Sequence, residues 1–107
     1  MEDRKKLKNP TGFNQSIQAV LSKDKNPSIL LVLNDRIPDG RDISWIWDVD
    51  FENLKESRSI TISGDRAPDM AIRMKYADTL YTVNSKLENA LHESINKTPK
   101  EQTLYVL

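Results

Sequence analysis

The sequence predicts an α/β fold, a three-layer arrangement in which a mainly parallel sheet is flanked by helices. Three observations carry this. Ile29-Leu30-Leu31-Val32-Leu33 is an unbroken apolar run, the pattern of a strand covered on both faces rather than one. Strand-like runs alternate with amphipathic stripes in the order helix, strand, loop, strand, helix, strand, helix, strand, and such alternation implies right-handed crossovers between parallel strands. The length of 107 residues provides for one small core and no second domain.

The elements follow in order. Residues 1–8 (MEDRKKLK) are polar and basic without a usable period and read as an entry segment. Asn9-Pro10-Thr11-Gly12 is turn chemistry leading into a helix whose stripe is Phe13, Ile17, Val20 and Leu21. That helix should stop by Lys25, before Asn26-Pro27. The apolar strand ends at Leu33. Asn34 to Asp42 then reads as a loop rich in aspartate, proline and glycine, at the carboxyl end of a strand where open α/β sheets place their ligands. The stretch Ile43 to Phe51 is ambiguous, since positions 43, 45, 47, 49 and 51 alternate like a strand while 43, 46, 47, 51 and 54 make a helical stripe. An extended or tightly turned segment followed by a short helix capped by Asp50 is the favoured reading. Ser59 to Ser63 is a strand ended by Gly64. Asp65 opens a helix with Pro68 in its first turn and Ala67, Met70, Ala71 and Met74 on its core face. Leu80 to Val83 is a short strand. Ser85 and Glu88 have capping-box spacing ahead of a stripe of Leu87, Ala90, Leu91 and Ile95. Thr103 to Leu107 begins a last strand.

Composition narrows the function. Sixteen lysines and arginines balance 16 aspartates and glutamates, so there is no cationic excess for nucleic acid or an anionic membrane. The absence of cysteine removes disulfides, thiol catalysis and thiolate zinc sites. His92 is the single histidine, which excludes any site needing two. No apolar run approaches the roughly 20 residues of a membrane span, and a cytosolic domain is expected.

The acidic loop is the most informative chemical feature. Asp35, Asp39, Asp42, Asp48 and Asp50 fall close together beside a strand end. Close carboxylates can hold a divalent metal or act as an acid/base pair, although aspartate is also an ordinary turn former. Asp42 stands apart because Ile43-Ser44-Trp45-Ile46-Trp47 beside it is too apolar for plain loop. A carboxylate on the rim of an aromatic patch can orient an imidazole at an interface. Trp45 and Trp47 fit a core, or a partner surface, where tryptophan is enriched among hot spots. Ser63-Gly64-Asp65-Arg66, between strand and helix, offers backbone N–H groups but too few glycines for a dinucleotide fingerprint.

Longer strings add a resemblance. Asn9-Pro10-Thr11-Gly12-Phe13-Asn14-Gln15, Leu33-Asn34-Asp35 and the run Asp39-Gly40-Arg41-Asp42-Ile43-Ser44-Trp45-Ile46-Trp47-Asp48-Val49-Asp50-Phe51-Glu52 resemble the C-terminal domain of MurT. MurT is the Mur-ligase-like subunit of lipid II isoglutaminyl synthase. Ser63-Gly64-Asp65-Arg66-Ala67, Asp69-Met70-Ala71 and Arg73-Met74-Lys75-Tyr76-Ala77 continue the likeness, which covers residues 9–107. It implies a Rossmann-like domain of the Mur ligase C-terminal type, cut from a longer chain near its boundaries.

The resemblance further implies an enzyme that amidates the α-carboxylate of D-glutamate in the lipid II stem peptide, at the inner face of the membrane. ATP and Mg2+ would activate the carboxylate in a central ligase domain outside these residues, with no cofactor held tightly by this domain alone. Ammonia would come from glutamine hydrolysed by a GatD-type glutaminase subunit, which supplies a cysteine and a histidine. By motif position the third triad member is Asp42, with Asp39 in reserve. Asn9 and Asn34 take positions where related ligases approach nucleotide or substrate, and Arg41, Trp45 and Trp47 would lie at the partner interface. No metal ligand is implied. The alternative is a non-catalytic interaction domain that docks a partner through Trp45 and Trp47, and a metal-dependent hydrolase using the aspartate loop is a third.

Overall fold

A computed structural model of the chain describes residues 10–34 and 44–107. Four strands form one all-parallel sheet: β1 (Ser28–Val32), β2 (Ser59–Ser63), β3 (Thr82–Val83) and β4 (Leu104–Val106), in the order β3-β2-β1-β4. Three α-helices accompany it, α1 (Pro10–Lys23), α2 (Ala67–Tyr76) and α3 (Leu87–Lys97), with 3₁₀ turns at Ser44–Asp48 and Phe51–Leu54. The α/β reading of the sequence therefore holds.

The central strands explain the unbroken apolar runs. Ile29, Leu31, Ile60 and Ile62 join Phe13 and Ile17 of α1, Ile46, Phe51 and Leu54 of the 3₁₀ turns, and Met70 and Met74 of α2 in one core. The intervening Leu30 and Thr61 are equally buried but lie outside that cluster. Because side chains alternate along a strand, they face the other side, where α3 packs across β1 and β2. Handedness requires this division. The chain steps one way from β1 to β3 and must cross back to β4, so a right-handed crossover puts α3 on the opposite face from α2.

Several local expectations are corrected. Of the two forms left open for Ile43–Phe51, the described part takes the tightly turned one, followed by the expected short helix: Ile46 and Val49, three residues apart, are buried, as is Phe51. The strand-like alternation of 45, 47 and 49 does not mark a buried face, because Trp47 is half exposed. Asp50 does precede the second 3₁₀ turn, yet its side chain makes no capping bond. Its own backbone N–H is held instead by Asn14 Oδ1 at 2.8 Å. Helix α2 starts at Ala67 with Arg66 at the cap position, two residues after Asp65, because the turn at Ser63–Arg66 is bonded back to β1. The capping box at Ser85 does not form. Lys86 precedes α3, and Asn84 Oδ1 accepts its N–H at 3.2 Å. Strand β3 is shorter than expected, and the stripe of α3 is only partly used, since Ala90 and Ser94 are fully buried while Leu87, Leu91 and Ile95 are exposed.

Candidate functional site

The carboxyl ends of β1 and β2 are tied into one edge. Leu33 donates its N–H to Ser63 at 3.0 Å, and Arg66 returns one to the Leu33 carbonyl at 2.9 Å. Asn34 Oδ1 accepts the N–H of Asp65 at 2.7 Å, so the side chain at the end of one strand does the work of a turn for the next. Gly64 makes this approach possible. Its φ of +104° favours glycine, and a Cβ there would press on the Leu33 carbonyl and lie 2.9 Å from Asn34 Oδ1. The aspartate-rich loop departs from this fixed edge.

The loop returns to the described chain at Ser44, into a segment fixed by Arg73. This arginine of α2 is 3% exposed. Its Nε donates to the Ile46 carbonyl at 3.0 Å and Nη2 to the Val49 carbonyl at 2.6 Å. Nη1 and Nη2 also meet the two Glu52 oxygens at 3.1 and 3.0 Å, a bidentate pair. The guanidinium carbon sits 5.2 Å from the Trp47 ring and 5.4 Å from the Phe51 ring, within cation–π range. The Ile46 and Val49 carbonyls already accept the backbone N–H groups of Val49 at 3.3 Å and Phe51 at 2.9 Å, and Arg73 adds a buried side-chain donor to each. The Arg73 hydrogen bonds, followed by a backbone bond at Glu52 itself, hold the Glu52 carboxyl below its ordinary value. Sequence reasoning missed this hub. The available signal was a basic residue one turn after Met70 and one turn before Ala77, on the flank of a buried stripe.

The two tryptophans face different neighbours. Trp45 is half buried, with its ring centroid 5.9 Å from that of Phe13. Trp47 is 48% exposed and 5.6 Å from the ring of Tyr76, itself exposed. Ile72, one turn before Tyr76, is exposed as well. The outward aromatic surface is thus Trp47 and Tyr76, with Trp45 serving the core beside it. In a 3₁₀ helix residues two apart diverge by about 120°, which separates the rings.

Asn9, Asp39, Arg41 and Asp42 lie outside the described residues, as do Asp35 and Gly40. Asn34 is at the strand end as expected, but its carbonyl oxygen is occupied by Asp65, so a ligand would meet its amide NH2 group. Asp48 and Asp50 are exposed. Among the described residues no three carboxylate, imidazole or thiol groups come together as metal ligands. Among them, too, no helix is long and apolar enough to cross a membrane.

Comparison with known proteins gives one consistent result. The family model described as MurT ligase C-terminal matches residues 7–107. The MurT subunit of lipid II isoglutaminyl synthase (glutamine-hydrolyzing) from Staphylococcus aureus is 38% identical over 73 residues, 66% of this chain and 17% of that protein. The subunit of the same name from Streptococcus pneumoniae is 33% identical over 98 residues, 90% of this chain and 22% of that protein. The chain thus spans about a fifth of the length of these relatives. With a family match over nearly its whole length and an α/β fold of all-parallel strands, the chain belongs to the MurT ligase C-terminal family.

Proposed function

We propose that this chain is the C-terminal domain of a ligase subunit that amidates the D-glutamate α-carboxylate of lipid II, using ammonia released by a separate glutaminase. The relatives are named as subunits of a glutamine-hydrolyzing lipid II isoglutaminyl synthase, which supports this reading. Within it, the domain contacts a GatD-type glutaminase and contributes an aspartate to that partner's cysteine–histidine pair. Asp42 is the assigned residue and Asp39 the reserve. ATP and Mg2+ are assigned to the rest of the ligase chain, and the whole complex to the cytoplasmic face of the membrane.

The observation that supports this reading is how the described residues on either side of the aspartate loop are held. One end leaves an edge stapled through Asn34 and Asp65, and the other enters a segment bonded at Ile46, Val49 and Glu52 by buried Arg73. A carboxylate that orients a partner's imidazole must be held in one geometry, because its task is to fix the tautomer and favour the imidazolium that forms. Rigid ends on a short loop serve that purpose. The exposed Trp47–Tyr76 surface adjoining the loop provides aromatic anchors for a partner. Arg41 belongs to the same proposed interface, and Trp45 supports it from behind.

A second reading rests on the same aromatic surface: a docking module without a catalytic group. Glutamine hydrolysis by the purified glutaminase, with and without this protein, separates the two. The first reading expects stimulation that disappears with Asp42→Asn while complex formation persists. Stimulation that survives Asp42→Asn and Asp39→Asn leaves docking alone. The metal-hydrolase reading expects calorimetric binding of magnesium, manganese or calcium at millimolar concentration, and a flat titration ends it.

A further inference from the structure

The face of β2 turned away from the extended core is built of hydroxyls. Ser59, Thr61 and Ser63 alternate along the strand with Ile60 and Ile62, so the isoleucines enter the core and the three hydroxyls face α3. Ser28 stands opposite Ser59 in β1, and Thr82 opposite Thr61 in β3. Helix α3 sets Ala90 and Ser94 on this surface, and both, like Thr61, have no exposed surface. Among the described residues the hydroxyls of Ser59, Thr61 and Ser94 are buried without a hydrogen-bond partner, as is one carboxylate oxygen of Glu93 in α3. The Thr98 hydroxyl turns back to the Ser94 carbonyl at 2.7 Å, and Lys97 Nζ meets Thr82 Oγ1 at 3.0 Å in solvent.

Two helices of nearly equal length are thus held in unlike ways. The 10 residues of α2 put Met70 and Met74 into the core cluster. In the 11 residues of α3 the buried positions are Ala90 and Ser94, and Leu87, Leu91 and Ile95 remain 49%, 40% and 53% exposed. Apolar burial is the main favourable term in docking a helix, and each buried hydroxyl left unpaired subtracts its desolvation cost. We infer that α3 is a separately opening unit, which leaves the sheet and unfolds while β1, β2, α1 and α2 stay folded. Opening wets the seam, so Ser59, Thr61 and Ser94 gain from water the hydrogen bonds they lack when it is closed. The bonds from Asn34 to Asp65 and from Arg73 to Ile46, Val49 and Glu52 involve no residue of α3. The flanks of the aspartate loop therefore keep their bonds in the open state.

Native-state hydrogen exchange of the 107-residue protein, followed amide by amide by NMR in low urea, tests this. The amides compared are Leu91 and Ser94 in α3 and Arg73 and Met74 in α2, all inside their helices, so fraying of helix ends does not separate them. The α3 amides should exchange about tenfold or more faster than those of α2, with a shallower dependence on urea, because less surface is exposed when one helix opens. Equal rates and equal urea slopes in the two helices overturn the inference. Ser94→Ala combined with Thr61→Val removes two of the unpaired hydroxyls and should slow exchange in α3 by about fivefold. An unchanged rate there overturns the seam as the cause. Ile60→Val, on the other face of β2, should speed exchange in α2 and leave α3 in place, since α3 opens without disturbing that core. Acceleration of both helices together shows a single cooperative unit and also overturns the inference.

Discussion

Arg73 concentrates the energetics of the site in one side chain. Its charge is buried, and its partner Glu52 is about half exposed, so the pair is not a surface bridge of negligible worth. Arg73→Met takes the side-chain donor from the Ile46 and Val49 carbonyls, which keep only their backbone bonds, and leaves Glu52 without its cation. A loss of about 3–5 kcal/mol is expected from removing a buried partner of this kind, read by urea denaturation. Arg73→Lys keeps the charge but cannot place its donors in the same fork, so it too should destabilise measurably. Acid should act on the same pair. Glu52 titrates lower in the folded chain than in the unfolded one. Its contribution is therefore fully present above its ordinary value of 4.5 and is lost as the pH falls through the lower folded value. Urea midpoints measured between about pH 3 and 6 should fall less steeply at the acid end in Glu52→Gln than in the parent protein.

Among the elements, α3 and the 3₁₀ segment carry opposite lessons about hydroxyls and rings. Ser94 is fully buried, and its Oγ has no hydrogen-bond partner. Ser94→Ala removes that unsatisfied group and adds a better helix former, so a gain of about 1 kcal/mol in unfolding free energy is expected. The 3₁₀ segment instead divides its tryptophans by role. Trp45→Ala opens space against Phe13 and should cost about 2–3 kcal/mol of stability, less than a fully buried ring. Trp47→Ala should leave the thermal midpoint nearly in place while weakening glutaminase binding, checked by calorimetry of the complex. If both substitutions affected stability alone, the outward ring would have no partner role.

At the scale of the molecule, the two faces of the sheet are built differently. One face carries α1, α2 and both 3₁₀ turns over a continuous core, and the proposed site lies at its carboxyl edge. Among the described residues the other carries α3, held close by Ala90 and Ser94. The described residues on either side of the Asp42 loop are fixed by hydrogen bonds to different elements, Asn34 to the β2–α2 turn and Ile46 to α2.

The sequence by itself determined the class of fold, because the apolar run of β1, the alternating isoleucines of β2 and the helical stripes of α1 and α2 are local patterns set by burial. It also carried the family, through the long string from Asp39 to Glu52. It did not reveal Arg73, since a buried arginine is recognisable only once the carbonyls it meets are brought to it from more than twenty residues away. Nor did it foresee that Leu87, Leu91 and Ile95 would be left open, because periodicity shows which helix face is apolar and not what lies against it. The start of α2 moved for a similar reason, since Arg66 is bonded back to the Leu33 carbonyl, whereas the start of α3 was set locally, by the Asn84 side chain accepting the N–H of Lys86 two residues on. Tertiary structure decided every feature that depends on a partner distant in the chain, and those features include both ends of the loop that carries Asp42.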